Sequence, residues 1–280
     1  IQTLASEQFE NVSDLLSSLC DEINEEVKFD MDVAARCKAV ALSAGLKPID
    51  CCCVCDSLER ITVEMRFSKP LDRKELNKLT SQLSLVSRRN LEQPETDEFD
   101  EYIKAVFLEK PTYKIVSSCV QFNANGEKYS GDTYSTFCDG KGWFYAVVCD
   151  GMGTGSRAAV SSGLAVNLLE KLIKAGFGIR SAIKTVNTSL VSKSDEECSV
   201  TLDLIALDMY TGMVEFYKCG AQNTVLKRKG RVTEISFDTL PMGILNDVDV
   251  GCGSSEVGIG DVLIICSDGV REEDFWQLRN

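Results

Sequence analysis

The chain has 280 residues, 44% hydrophobic and 26% charged, with a formal net charge of −13; this describes an ordinary globular protein large enough for more than one core. The acidic surplus argues against a nucleic-acid surface, whose affinity Lys and Arg must supply, and the one basic run, Lys227-Arg228-Lys229-Gly230-Arg231, reads as a solvated hairpin. The absence of histidine excludes a Ser-His-Asp triad, a His general base and every His-ligated metal.

Ser6 to Val27 carries Phe9, Val12, Leu15, Leu16, Leu19, Ile23 and Val27 at steps of three and four, the pattern of an amphipathic helix with Ser6 as N-cap. A second helix is expected over Asp32–Ala44, closed by Gly45, then strands near Ile49–Val54 and Arg60–Phe67, a helix over Asp72–Leu83 and a strand over Tyr102–Leu108. The acidic stretch Glu92–Glu98 reads as a loop. Proline and polarity at Glu109-Lys110-Pro111-Thr112 mark a domain boundary. The expected organisation is therefore a linker helix in 1–28, a small α/β domain in 29–110 and a second domain in 111–280.

Beyond the boundary the texture changes to long strands: Tyr113–Phe122, Tyr134–Cys138 and Trp143–Cys149, joined by Asn125-Gly126 and Asp139-Gly140 turns. Two helices follow, the first presenting Leu164, Ala165, Leu168, Leu169, Leu172 and Ile173, the second spanning Ile179–Val191. Strands resume at Val200–Asp208, Met213–Cys219, Thr224–Lys229, Val232–Phe237, Val248–Val257 and Val262–Cys266. Hairpins on both sides of a helical pair predict antiparallel sheets with helices packed outside, an α+β fold rather than a βαβ one.

Thirteen cysteines in a chain with no secretory signal, several of them in apolar strands, read as reduced thiols of a cytosolic protein. Cys51-Cys52-Cys53-Val54-Cys55 contains a C-x-x-C, but no second pair or histidine completes a zinc site, so it reads as a buried strand. No apolar stretch approaches the ~20 residues of a membrane span.

The chemistry concentrates at Phe144-Tyr145-Ala146-Val147-Val148-Cys149-Asp150-Gly151-Met152-Gly153-Thr154-Gly155. An apolar run that stops on an aspartate places a carboxylate at the lip of a core, where it needs a partner such as a metal ion. Val262-Leu263-Ile264-Ile265-Cys266-Ser267-Asp268-Gly269 repeats the pattern, and Asp132 lies beside a glycine at a third strand end. Carboxylates gathered in this way suit a hard cation such as Mg²⁺ or Mn²⁺, and two such ions bridged by one carboxylate activate water. The rival is nucleotide binding, since Gly151-x-Gly153-x-Gly155 lies between a strand and a helix. The spacing differs from a dinucleotide fingerprint, no Lys-Ser/Thr follows, and an aspartate before the loop repels a pyrophosphate.

The blocks Ser130-Gly131-Asp132-Thr133-Tyr134, Val148 through Gly155, Ser199-Val200-Thr201-Leu202-Asp203-Leu204, Leu240-Pro241-Met242-Gly243-Ile244 and Cys266-Ser267-Asp268-Gly269-Val270 resemble, in order and spacing, the PP2C-like serine/threonine phosphatases of the stage II sporulation protein E family. The likeness runs from about Tyr113 to Val270, and the preceding stretch is similar to that family's regulatory region. It implies an α-β-β-α sandwich of antiparallel sheets, preceded by a long helix and a small α/β regulatory domain. The implied activity is hydrolysis of phosphoserine or phosphothreonine on a protein, dependent on two Mn²⁺ or Mg²⁺ ions.

Carried over by position, Asp150 bridges both ions, the Gly151 carbonyl binds one, Asp268 binds the other, and Asp132 holds a metal-bound water. The implied substrate is a phosphorylated anti-anti-sigma factor, whose dephosphorylation activates a sporulation sigma factor. The resemblance also implies homodimerisation through the N-terminal helix and a cytoplasmic setting, with a membrane anchor elsewhere in the full-length protein and neither membrane contact nor nucleic acid for this stretch. Members carry a later Asp-Asp-x-Thr-like motif that supplies a further ligand. None precedes Asn280, which leaves the expected ligand set incomplete. The alternative is a catalytically incomplete regulatory or dimerisation fragment that acts by protein binding.

Overall fold

The computed structural model describes residue 13 and residues 28–56, 58–123, 129–153, 155–192 and 199–270. Apart from Ser13, the helix expected over Ser6–Val27 lies outside the described residues, as does the Asn125-Gly126 turn. The chain forms two compact units, one within Ile23–Pro111 and one taking in Thr112–Asn280.

In the first unit five antiparallel strands run in the order β1 (Lys28–Phe29), β2 (Pro48–Cys55), β3 (Ile61–Phe67), β5 (Ile103–Leu108), β4 (Glu95–Glu98). Burial alternates along β3, so Ile61, Val63, Met65 and Phe67 face a core with Phe107, Ala105 and Cys53. Helices α1 (Met31–Ser43) and α2 (Arg73–Ser87) close that core with Val33, Cys37, Ala41, Leu79 and Leu83. Asp30 starts α1 by accepting the Val33 N–H at 2.8 Å. Asp72 and Glu75 start α2 with a reciprocal capping box, which satisfies amide groups that have no partner inside the helix. Helix α2 continues one turn past the expected Leu83, and Arg88 ends it in a left-handed conformation (φ 57°).

Glu95–Glu98, expected to be a loop, is instead an edge strand paired to β5, with Asp97 across from Lys104. Its polar composition is that of a strand with no core to face, and its charges discourage further pairing.

Cys37 and Cys53 are buried and Cys51 is half-buried, and burial pushes their thiols up to about 11, 12 and 12 respectively. No disulfide involves them; they are free, like the other described cysteines. Because these acids have a raised value in the folded state, their contribution to stability is fully present below the ordinary thiol value of 9.0 and is lost as pH rises toward 11–12. With solvent screening, such a shift is worth on the order of 1 kcal/mol per thiol. Chemical denaturation between pH 8 and 11 is therefore expected to show a steep loss of stability in this unit, and Cys53→Ala is expected to flatten the slope. An unchanged slope would show that these thiols already ionise freely in the fold.

In the second unit a five-stranded antiparallel sheet runs β12 (Gly251–Glu256), β9 (Met213–Cys219), β8 (Leu202–Asp208), β7 (Trp143–Asp150), β6 (Asp132–Cys138). One face carries Phe137, Tyr145, Val147, Cys149, Leu202, Leu204 and Cys219, packed against α3 (Ser156–Lys174) and α4 (Ile179–Val191). The other face, with Ala146, Ile205, Leu207, Val214 and Phe216, meets a three-stranded sheet of β11 (Arg231–Ile235), β10 (Thr224–Arg228) and β13 (Val262–Ile264) through Ile235 and Leu263. The central strand β8 is buried along its whole length, the signature of a strand covered on both faces.

At the end of this second interface lies a buried ion pair. Asp203 on β8 and Lys218 on β9 are cross-strand partners, 1% and 0% exposed. Lys218 Nζ donates to Asp203 Oδ2 and to the Gln222 carbonyl, each at 2.5 Å, and Thr224 Oγ1 donates to Asp203 Oδ2 at 2.8 Å. Burial pushes the Asp203 carboxyl up and the Lys218 ammonium down, while their mutual attraction opposes both shifts.

Two expectations fail in this unit. Tyr113–Phe122 is not a strand: after the Tyr113 N–H bonds the Met209 carbonyl, Val116, Val120 and Phe122 stand 88%, 73% and 82% exposed. Alternation gives a chain the texture of a strand, but a strand also needs a neighbour, and no described strand pairs with this segment. The run Val262–Cys266, expected to be strand throughout, is shorter. Strand is confined to Val262–Ile264, which among the described strands pairs with β10 alone, and Val262 is 48% exposed.

Candidate active site

Asp132 opens β6 and Asp150 closes β7, and the antiparallel register sets them directly opposite each other. Cross-strand partners project to the same face, so the pleat alone brings two carboxylates together. Asp268 lies in the turn after β13, so it arrives from the other sheet. Ser267 ties that turn to the first pair, its Oγ donating to Asp132 Oδ2 at 3.0 Å.

The electrostatics report the convergence. Asp150 is pushed up from 3.8 to about 7, chiefly by burial, then by the negative charges of Asp132 and Asp268 and by a hydrogen bond with the Asp132 side chain. Desolvation and like charge both disfavour the ionised form of Asp150.

The backbone around Asp150 is clamped. Its N–H donates to Thr201 Oγ1 at 3.0 Å and its carbonyl accepts from the Thr201 N–H at 2.8 Å, while the Met152 N–H donates to the Ser199 carbonyl at 2.9 Å. Gly151 thus bridges to Val200, which in turn bridges to Met242. A side chain at Gly151 would overlap the Ala158 backbone at the start of α3, and one at Gly131 would press within 3.2 Å of the Gly151 carbonyl oxygen. Glycine at both positions lets the two strand ends and the helix meet in van der Waals contact.

All four residues singled out in the sequence therefore sit in one unit, with the three carboxylates within electrostatic reach. Thr201 and Ser267, which grip two of them, were not singled out by themselves. Ser267 adjoins Asp268 and so carried a signal; Thr201 contacts a residue 51 positions away, which no local pattern reveals.

The donors present are carboxylate oxygens and a backbone carbonyl, with no histidine in the chain, and that chemistry fits a hard divalent cation. Among the described residues no three His, Cys, Asp or Glu side chains already converge on one point as a finished metal site. Asp132 and Asp150 face each other across the strand pair, and Asp268 is exposed.

The family model for stage II sporulation protein E matches residues 140–279, half of the chain. The chain belongs to the stage II sporulation protein E family. Among curated members, stage II sporulation protein E of Bacillus subtilis (strain 168) is 33% identical over 185 residues, which is 64% of this chain and 22% of that protein. Its counterpart in Priestia megaterium is 34% identical over 159 residues, 56% of this chain and 27% of that protein. This chain thus spans about a quarter of the length of the curated relatives it matches.

A solved structure described as the PP2C phosphatase domain and a fragment of the regulatory domain of the Bacillus subtilis family member superposes with a TM-score of 0.66 at 26% identity, covering 99% of this chain and 85% of that one. The antiparallel α+β architecture described above is the fold of that phosphatase domain.

Proposed function

We propose that this chain is the catalytic part of a metal-dependent protein serine/threonine phosphatase, with Asp150, Asp268 and the Gly151 carbonyl holding two Mn²⁺ or Mg²⁺ ions and Asp132 holding a water at that site. The observation that carries the reading is the convergence of Asp132 and Asp150, opposite each other on paired strands, with the Asp268 turn, which Ser267 ties to Asp132; the negative charges of Asp132 and Asp268 both act to raise the half-buried Asp150. The fully buried Asp203 is paired with Lys218, whereas Asp132 and Asp150 face one another. Family membership supports the same reading.

Each side chain has a task. Asp150, opposite Asp132 and clamped by Thr201, would hold the divalent ions. Ser267 takes one oxygen of Asp132 and leaves the other for the site. Gly151, with no side chain, presents its backbone at the strand end. When bound, the divalent ions supply water activated at neutral pH and charge compensation for the phosphoryl oxygens. The substrate is a phosphoserine or phosphothreonine of an anti-anti-sigma factor, whose dephosphorylation activates a sporulation sigma factor. The regulatory unit and the N-terminal stretch carry homodimerisation and control. In the full-length protein this region faces the cytoplasm; no described helix here is long and apolar enough to cross a membrane.

A second reading, a fragment that binds partners without turnover, is favoured by one observation: no three ligating side chains are drawn together in the described residues. Manganese separates the two. Titrating Mn²⁺ into the chain is expected to raise its melting temperature saturably and to release phosphate from a phosphoserine protein. Saturable stabilisation without phosphate release supports the binding fragment; neither effect, or tight NAD binding, removes the phosphatase reading.

A further inference from the structure

Asn187 lies in the middle of α4, 1% exposed, on a helix whose other inward residues are Ala182, Ile183, Val186 and Leu190. A buried amide among aliphatic side chains is unfavourable unless its hydrogen bonds are met, and here they are met by one short segment. Asn187 Oδ1 accepts from the Gly243 N–H at 2.8 Å, and Nδ2 donates to the Leu245 and Asn246 carbonyls at 2.9 and 3.0 Å. The adjoining residue, Met242, exchanges both backbone bonds with Val200, at 3.0 and 2.9 Å. On the other side of Val200, Ser199 and Thr201 make the bonds that clamp Asp150 and Met152.

We propose that Asn187 is a positioning residue for the active site: through the 242–246 segment and Val200 it fixes where the backbone of Asp150 and Gly151 stands. This rests on the phosphatase reading, in which Asp150 and the Gly151 carbonyl hold the metal ions. The chain of contacts is continuous. Three hydrogen bonds join α4 to the 242–246 segment, two join Met242 to Val200, and three join residues 199–201 to 150–152. Asn187 also suits the task better than an apolar residue, because an amide held at both ends fixes the segment along the helix, whereas a packed methyl group leaves it free to slide. A merely structural role predicts a loss of stability alone. A positioning role predicts that the cation and the turnover step feel the change while protein-substrate binding does not.

The test uses the full chain with Asn187→Leu, which keeps the volume and removes every bond, and Asn187→Asp, which keeps the acceptor for Gly243. Ile183→Val, on the same helix and 0% exposed, is the control for lost packing. In metal-free protein, hydrogen exchange at the Val200 and Met242 amides is expected to accelerate at least tenfold in Asn187→Leu and to be unchanged in Ile183→Val. The Mn²⁺ concentration for half-maximal binding is expected to rise at least tenfold in Asn187→Leu, with kcat lowered and KM for the phosphoprotein unchanged, and Asn187→Asp is expected to fall between it and the parent. Unaltered exchange at Val200 and Met242 overturns the relay whatever the chain catalyses. Accelerated exchange with unaltered Mn²⁺ binding overturns the positioning role. Failure of the parent chain itself to bind Mn²⁺ removes the phosphatase reading instead, and the exchange data then stand alone.

Discussion

Replacing Asp150 by asparagine is expected to abolish phosphate release and, in the same protein, to raise the melting temperature of the metal-free form. The two effects share one cause. Asp150 is half-buried beside Asp132 and within reach of Asp268, so its charge serves a cation and disturbs the fold without one. Even residues that only support a metal site typically account for 10–100-fold in affinity or activity, so loss of a proposed metal ligand should exceed about 100-fold.

The stability gain follows from linkage. Asp150 has a folded-state value raised from 3.8 to about 7. The metal-free fold is therefore most stable, as far as this group is concerned, below pH 3.8 and loses that contribution as pH rises through 7. With solvent screening, the asparagine variant should gain on the order of 1–2 kcal/mol at pH 8 and nothing at pH 4. Saturating Mn²⁺ should stabilise the parent and leave the variant unmoved. A variant that loses stability at pH 8, or that still responds to Mn²⁺, would show that Asp150 is an ordinary structural aspartate.

The largest purely structural effect is expected at Lys218. Lys218→Met removes the cationic partner of Asp203, which is 1% exposed and then keeps, among the described contacts, the hydroxyl of Thr224, and removing one partner of a buried pair costs about 3–5 kcal/mol. The double variant Lys218→Met, Asp203→Leu should recover most of that loss, since replacing both members by apolar groups is often neutral or stabilising. Urea denaturation of the parent, the single variants and the double variant closes the cycle. Strict additivity of the two single losses would mean that the pair is not coupled as its geometry demands.

How much of this was legible beforehand differs from residue to residue. Asp150 was legible because two local signals coincide, six apolar residues and then an aspartate before a glycine-rich turn. Its pairing with Asp132 was less so: that depends on the register of a hairpin whose tip, Asp139 to Gly142, is fixed by the Asp139 carboxylate accepting the Lys141 and Trp143 N–H groups. Asn187 was hidden entirely. On α4 it occupies an inward position of an otherwise apolar stripe, and nothing nearby in the sequence tells that its partners lie 56–59 residues on. The two strand errors have one origin. Tyr113–Phe122 alternates without finding a ladder, whereas Glu95–Glu98 lacks alternation yet finds one in β5. Side-chain texture reports the face a segment presents, and backbone pairing is decided by which neighbours the fold provides.

The link between Ser267 and Asp132 spans 135 positions. Closing so long a loop is entropically unfavourable until many other contacts already hold its ends near each other. The three acidic groups can therefore meet only after both sheets have formed and docked, at the last stage of the chain's collapse. A refolding polypeptide has no assembled binding place to offer a metal ion early on, so added manganese should leave the folding rate untouched and act by slowing the reverse step.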